Sequence, residues 1–245
     1  MINKNLLVKE KIMIQGIRKK MLAIGFMAVT SLGIAGQAQA GVALGATRVV
    51  YPSNQKQVSL GITNNDDKST YLIQSWIENA AGQREERFVV TPPLFVIKGK
   101  RENTLRIIDG TNQTLPKDRE TLFWMNVKAI PSMNASQEKQ NTLQLAIISR
   151  IKLFYRPVGL SMPPEAAPQK LRFRKSGSQL MLINPTPYYL TVTSLKAGNK
   201  ELANTMVPPM GNTSVPLLPG SGNQITYQTI NDFGALTPVS NGIFE

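Results

Sequence analysis

The 245-residue sequence contains no histidine and no cysteine. Without an imidazole there is no Ser-His-Asp triad, no histidine general base and no His-ligated zinc; without a thiol there is no cysteine nucleophile, iron–sulfur cluster or Cys-ligated zinc. Disulfides are excluded as well, so stability rests on packing. The groups left for chemistry are 15 carboxylates and 28 Lys or Arg side chains. A carboxylate-dependent glycosidase needs two acids flanking one bond, and no motif places two of them together. No Walker-type glycine loop is present to cradle a nucleotide phosphate, which argues against an ATP-driven machine. The reading is a protein that is not an enzyme, with no catalytic residue, no metal and no cofactor.

The charge is +13 overall, but much of the excess lies at the N-terminus. Residues 1–20 carry Lys4, Lys9, Lys11, Arg18, Lys19 and Lys20 against Glu10 alone, an uncharged apolar run from Met21 to Gly36 follows, and Ala38-Gln39-Ala40 comes next. A basic region, an apolar run and an A-x-A site are the marks of a signal peptide, here residues 1–40, cleaved after Ala40. The rival is an uncleaved anchor, for which the apolar run is slightly short. Without residues 1–40 the chain has 22 basic and 14 acidic residues, a net +8 on 205 residues. Export without cysteine favours the bacterial envelope, and it makes nucleic acid an improbable partner despite the basic pI. In Lys170-Leu171-Arg172-Phe173-Arg174 the charges alternate with apolar residues, as on a half-buried strand rather than a nucleic-acid patch.

What positions these charges is β-structure. No long segment after residue 40 keeps a 3.6-residue apolar period; short runs rich in Val, Ile, Thr and aromatics recur, separated by Gly, Pro, Asn and Asp. The expected strands are Ala46–Val50, Val58–Thr63, Tyr71–Glu78, Phe88–Val90, Leu94–Ile97, Asn103–Ile108, Leu122–Ala129 and Leu143–Tyr155. After a stretch rich in Pro and small residues, Val158 to Gln169, come Lys170–Arg174, Gln179–Ile183, Tyr189–Leu195, Thr213–Leu217 and Ile225–Ile230. Closely spaced strands with turns every 8–12 residues imply two all-β sandwiches, at 41–160 and 161–245.

Two strands are unusual. Thr142–Arg156 reads as fifteen extended residues without Gly or Pro, about 50 Å at roughly 3.3 Å per residue. Its odd positions are apolar except Ser149, while its even positions include Arg150, Lys152 and Arg156. Taken alone, the odd face is core. Leu122–Ile130 is apolar at most positions on both faces and also reads as core, and the polar segment Ser132–Asn141 lies between the two strands.

The segment Leu115-Pro-Lys-Asp-Arg-Glu-Thr-Leu-Phe-Trp-Met-Asn-Val-Lys-Ala-Ile-Pro-Ser132 resembles the signature of the periplasmic pilus-assembly chaperones of the chaperone/usher pathway. Gly41–Pro52, Ile147–Pro157, Leu182–Tyr189 and Ile230–Ala235 are similar to further blocks of that PapD-like family, in particular to its type 1 fimbrial members. The resemblance covers the whole chain after residue 40. It implies two immunoglobulin-like sandwiches joined at an angle with a cleft between them. It also implies a periplasmic protein, soluble once the signal peptide is removed, that binds pilus subunits one to one, lends them a missing strand and delivers them to an outer-membrane usher. The alternative class is a structural pilin or adhesin module, against which stand two full strand sets and no cysteine.

Carried over by position, the resemblance makes Leu143, Leu145 and Ile147 the residues that fill a subunit's groove, and Arg48 and Lys152 the cations that hold its terminal carboxylate. Glu120, Arg156 and Asp232 become a charged cluster between the domains. Leu72, Thr91, Pro93 and Ile130 become part of an usher-facing patch.

Overall fold

The computed structural model describes residues 41–112, 114–133 and 143–245. The expected signal peptide, most of the Ser132–Asn141 segment and Thr142 lie outside the described residues. The architecture is all-β, with two separate hydrophobic cores, each enclosed by its own pair of sheets.

The first core lies between two sheets built from β1 (Val42–Leu44), β2 (Arg48–Pro52), β3 (Gln57–Asn64), β4 (Tyr71–Asn79), β5 (Phe88–Thr91), β6 (Leu94–Ile97), β7 (Glu102–Asp109), β8 (Thr121–Pro131) and β9 (Ile147–Arg156). One sheet runs β1-β3-β7-β5 and the other β2-β9-β8-β4-β6. Strand alternation turns Ile73 and Ile77 of β4, Phe123, Met125 and Val127 of β8, and Leu153 and Tyr155 of β9 into the space between them. There Tyr51 stacks on Tyr155 with ring centroids 6.0 Å apart, and Phe88 meets Phe123 edge-on at 4.9 Å. Buried Tyr51 keeps its hydroxyl satisfied: it donates to the Gln55 carbonyl (3.2 Å) and accepts from the Asp109 N–H (3.0 Å).

The second core holds Phe173, Leu180, Leu182, Val192, Leu195 and Tyr227, all essentially inaccessible. It is enclosed by β10 (Arg172–Ser176), β11 (Gln179–Asn184), β12 (Leu190–Ala197), β13 (Lys200–Glu201), β14 (Thr205–Val207), β15 (Gly211–Pro216), β16 (Ile225–Thr229), β17 (Ser240–Asn241) and β18 (Ile243–Phe244). The sheets run β15-β11-β10-β18 and β13-β12-β16-β17, with β14 also pairing β12. Buried Asn184 is satisfied at both ends of its amide. It donates to the carbonyls of Tyr188 (2.7 Å) and Pro208 (2.9 Å) and accepts from the Thr186 N–H (3.0 Å).

Three sequence expectations shift. The fifteen-residue strand at 142–156 is a strand only over Ile147–Arg156; residues 143–146 have no assigned regular structure, and β8 pairs with β9 only as far as Ala129 opposite Ile147. Without a neighbour there is no ladder to define a strand. Lys170–Arg174 begins instead at Arg172, because Pro164–Ala166 and Pro168–Lys170 form two short 3-10 turns, with proline at a first position where its missing N–H costs nothing. The short strands β1, β13, β14, β17 and β18 carry too few residues to show a period and were not expected.

Candidate functional site

The even face of β9 reads, residue by residue, as a passage from open surface into the junction between the two sandwiches. Ile148 and Arg150 are exposed, Lys152 is half-buried, Phe154 is buried beneath Tyr189 (ring centroids 5.7 Å), and Arg156 ends in an ion cluster. The odd face runs the other way. Leu153 and Tyr155 are core, whereas Leu143 is 86 % exposed and Leu145 and Ile147 are each 68 % exposed. The reading of the whole odd face as core is therefore corrected at these three positions. Its apolar surface continues from the interior out past the end of the sandwich, where nothing described covers it.

The sheet edge opens at the same place. β2 pairs in parallel with β9 from Arg48 opposite Lys152 to Pro52 opposite Arg156. On the other side β8 pairs with β9 from Ala129 opposite Ile147 through Thr121 opposite Tyr155. Among the described residues no strand pairs with the free edge of Ile147–Ile151. Unpaired edge backbone beside exposed apolar side chains is a template for an added strand.

Where the open edge meets β2, the register sets Arg48 and Lys152 side by side. The Arg48 guanidinium donates to the Ile230 carbonyl (3.0 Å), and the Lys152 ammonium to the Thr191 hydroxyl (2.9 Å), so both touch the second sandwich. Neither has an ion-pair partner among the described residues. Arg48 is also left with a buried Nε that has no hydrogen-bond partner. Partial burial, followed by repulsion from Arg48, brings the Lys152 pKa down to about 8. Burial likewise lowers that of Arg48, against the through-space pull of Asp232 and Glu120. Two neighbouring, partly desolvated cations with spare donors suit a carboxylate, which Arg48 can bind through two parallel N–H bonds.

Glu120, Arg156 and Asp232 do come together. Arg156 Nε donates to Glu120 (2.7 Å), and its terminal nitrogens clasp Asp232 at 2.6 and 2.7 Å. The other Glu120 oxygen accepts the Tyr189 N–H (2.7 Å), and its own N–H reaches the Pro187 carbonyl (2.9 Å). Glu120 is buried, which pushes its pKa up while Arg156 opposes the rise; for Arg156 the two carboxylates outweigh burial and hold its pKa above the usual range. Each of these bonds except that to Pro187 involves a charged group, and those to Asp232, Tyr189 and Pro187 cross between the sandwiches. A further approach beside the cations is made by Gly234, at φ +84°, where a Cβ would lie 2.3 Å from Thr47 Oγ1. Only glycine allows the 231–235 loop so close to the residue preceding Arg48.

Of the four patch residues, Leu72 and Ile130 are register neighbours on β4 and β8, and Pro93 accepts a hydrogen bond from the Ser75 N–H of β4 (2.8 Å). Thr91 ends β5 in the opposite sheet. Sequence reasoning missed Val96, which lies opposite Leu72 and is 59 % exposed, and Leu94, 55 % exposed on the same strand. Alternation in Leu94–Ile97 was legible, but which face lay open was not.

Two family descriptions match the chain: "Pili and flagellar-assembly chaperone, PapD N-terminal domain" over residues 41–161, and "Pili assembly chaperone PapD, C-terminal domain" over residues 166–241. The chain is 61 % identical to chaperone protein FimC of Escherichia coli O6:H1 over 245 residues, all of both chains. It belongs to the PapD family of pilus-assembly chaperones.

Solved structures of the family agree. The crystal structure of the periplasmic chaperone SfaE superposes with a TM-score of 0.74 at 64 % identity, covering 83 % of this chain and all of that one. The SafB chaperone in complex with the Salmonella enterica SafA pilin gives 0.74 at 32 % identity, covering 82 % and 95 %. Membership in this chaperone family decides against the pilin or adhesin alternative, and gives the two β-sandwiches their immunoglobulin-like class. No helix among the described residues is long and apolar enough to cross a membrane, and no described group of acidic side chains is clustered to hold a metal.

Proposed function

We propose that the chain is a non-enzymatic periplasmic chaperone, exported by cleavage after Ala40, whose two domains at 41–160 and 161–245 capture one pilus subunit at a time. The observation that supports this most directly is the unpaired edge of Ile147–Ile151, ending in two cations that lack an acidic partner. A subunit strand added to that edge continues the line of β2, and its terminal carboxylate arrives beside Arg48 and Lys152. Backbone hydrogen bonds hold it, and Leu143, Leu145 and Ile147 enter its groove as alternate side chains. The apolar row thus moves from water into the partner, as an incomplete sandwich requires.

Glu120, Arg156 and Asp232 fix how the domains meet, so that Thr191 and Ile230 stay against the anchor cations. Such buried pairing contributes orientation more than net stability. The face carrying Leu72, Pro93 and Ile130, with Thr91 at its border, serves for delivery to the outer-membrane usher.

The test is co-purification from periplasm with pilus subunits co-expressed, comparing wild type with Lys152→Ala. Subunit recovery should fall to background with Lys152→Ala while the variant melts like wild type. Wild-type recovery by a folded Lys152→Ala protein would remove the anchor from the proposal.

A further inference from the structure

Strand alternation guards this edge against a slip of one residue, because every side chain would change face. It does not guard against a slip of two. Moving a bound strand by two residues, about 6.6 Å, restores every face and leaves the Leu143, Leu145, Ile147 row facing the same way. On β9 such a slip toward the free end meets Arg150, which shares its face with Lys152 and is exposed. A carboxylate arriving along the edge therefore encounters two candidate anchors in the correct orientation.

The structure treats the two cations differently. One cross-sheet row places Glu78 opposite Trp124, Trp124 opposite Lys152, and Lys152 opposite Arg48. Lys152 and Arg48 have no acid in that row within ion-pair reach. Arg150 is instead drawn back across β8: its guanidinium lies over the Trp124 ring, 4.4 Å from the centroid, and donates to Glu78 Oε2 at 3.0 Å. Glu78 is itself held, since Trp76 Nε1 donates to its other oxygen at 2.8 Å, a bond that, ahead of Arg150, keeps the Glu78 carboxyl below its usual pKa. Arg84 covers the Trp76 ring from 5.0 Å. A carboxylate approaching Arg150 meets a neutral, already bonded pair; two residues further on it meets two unpaired charges.

We infer that Glu78 and Trp124 mask Arg150 as a rival anchor, and so fix the register of the captured strand among those spaced by two residues. This deepens the proposed carboxylate anchoring and rests on it. Glu78 and Trp124 are positioning residues that act through Arg150.

The test uses the full chain after residue 40 and a fluorescent peptide of about twelve residues with alternating apolar side chains, ending in a free carboxylate or an amide. Binding is read by anisotropy. Lys152→Ala should lose at least tenfold in affinity for the carboxylate peptide. Adding Glu78→Gln, which is isosteric, should restore at least threefold of that loss, and adding Arg150→Gln as well should abolish the rescue; the amide peptide should show none.

If Lys152→Ala binds the carboxylate peptide like wild type, the anchoring itself fails, and the mask with it. If Lys152→Ala loses binding and Glu78→Gln restores nothing, only the mask is overturned. Arg150→Gln with Lys152 intact gives an independent check that leaves Glu78 in place, with wild-type affinity expected. A tenfold loss there would show that Arg150 itself holds the peptide and would overturn the inference.

Discussion

Arg48 and Lys152 are register partners across the parallel pair of β2 and β9, and they form its first pair. In the proposed mode of capture, the edge for the added strand and the site for its carboxylate therefore begin at one point. On that proposal an incoming chain would extend the line of β2 no further than the cations allow, and its end would be placed before its side chains are.

If Lys152 anchors the subunit as proposed, capture should be pH-dependent. Its pKa in the free protein is about 8, lowered by burial and then by Arg48, with Thr191 hydrogen-bonded to it and Trp124 opposite it in register. A bound carboxylate favours the charged form and raises that pKa, so binding takes up a proton above pH 8. Affinity for a carboxylate-ended peptide should be level from about pH 5 to 8 and fall by up to about tenfold per unit above that. Titration by anisotropy checks this, and an amide-ended peptide should show no such fall. The effect on folding has the opposite sign. An unfolded lysine titrates near 10.5, so the cost of burying the charge is present below pH 8 and is relieved as pH rises from 8 to 10.5.

Leu145 and Leu153 both occupy odd positions of one sequence segment, the first ahead of β9 and the second within it, and should behave as different kinds of residue. Leu153 is fully buried, so Leu153→Ala should cost folding about 2–5 kcal/mol in denaturant unfolding. Leu145 is mostly exposed, so Leu145→Ala should change folding by less than about 0.5 kcal/mol. The same variant should weaken the subunit complex by up to a few kcal/mol, because there the side chain is buried by the partner. Equal folding costs for the two variants would contradict the division of the strand into core and donor halves.

Arg156→Met should be severe. It leaves the Glu120 side chain, 1 % exposed, with the Tyr189 N–H as its one remaining hydrogen-bond partner among the described residues. An uncompensated buried charge of this kind costs about 3–5 kcal/mol. Glu120→Gln combined with Arg156→Met should recover part of that loss. Denaturant unfolding of the single and double variants measures the difference, and an additive double variant would contradict the coupling.

Delivery should separate from capture. Val96 and Leu72 are register partners with outward side chains, 59 % and 36 % exposed. Val96→Asp with Leu72→Asp should leave subunit recovery unchanged while abolishing pull-down by the usher. Retained pull-down would move the delivery surface elsewhere.

The amino-acid order alone excluded His- and Cys-based chemistry and laid out most of the longer strands, because alternation and turn residues are local properties. It also marked the 142–156 segment as unusual, and the similarity of its motifs to one family pointed to Arg48, Lys152, Glu120, Arg156 and Asp232. What no local pattern could say was which apolar face is buried. Leu143, Leu145 and Leu153 look alike in sequence, and only the end of the sheet, at Ala129 opposite Ile147, makes the first two exposed. Trp124 reads as core in an apolar run, yet it lies half-buried beneath Arg150, beside a Glu78 brought in by β4. Register between strands distant in sequence decided these relationships. A side chain's neighbours across a sheet depend on that pairing, which its own strand does not encode.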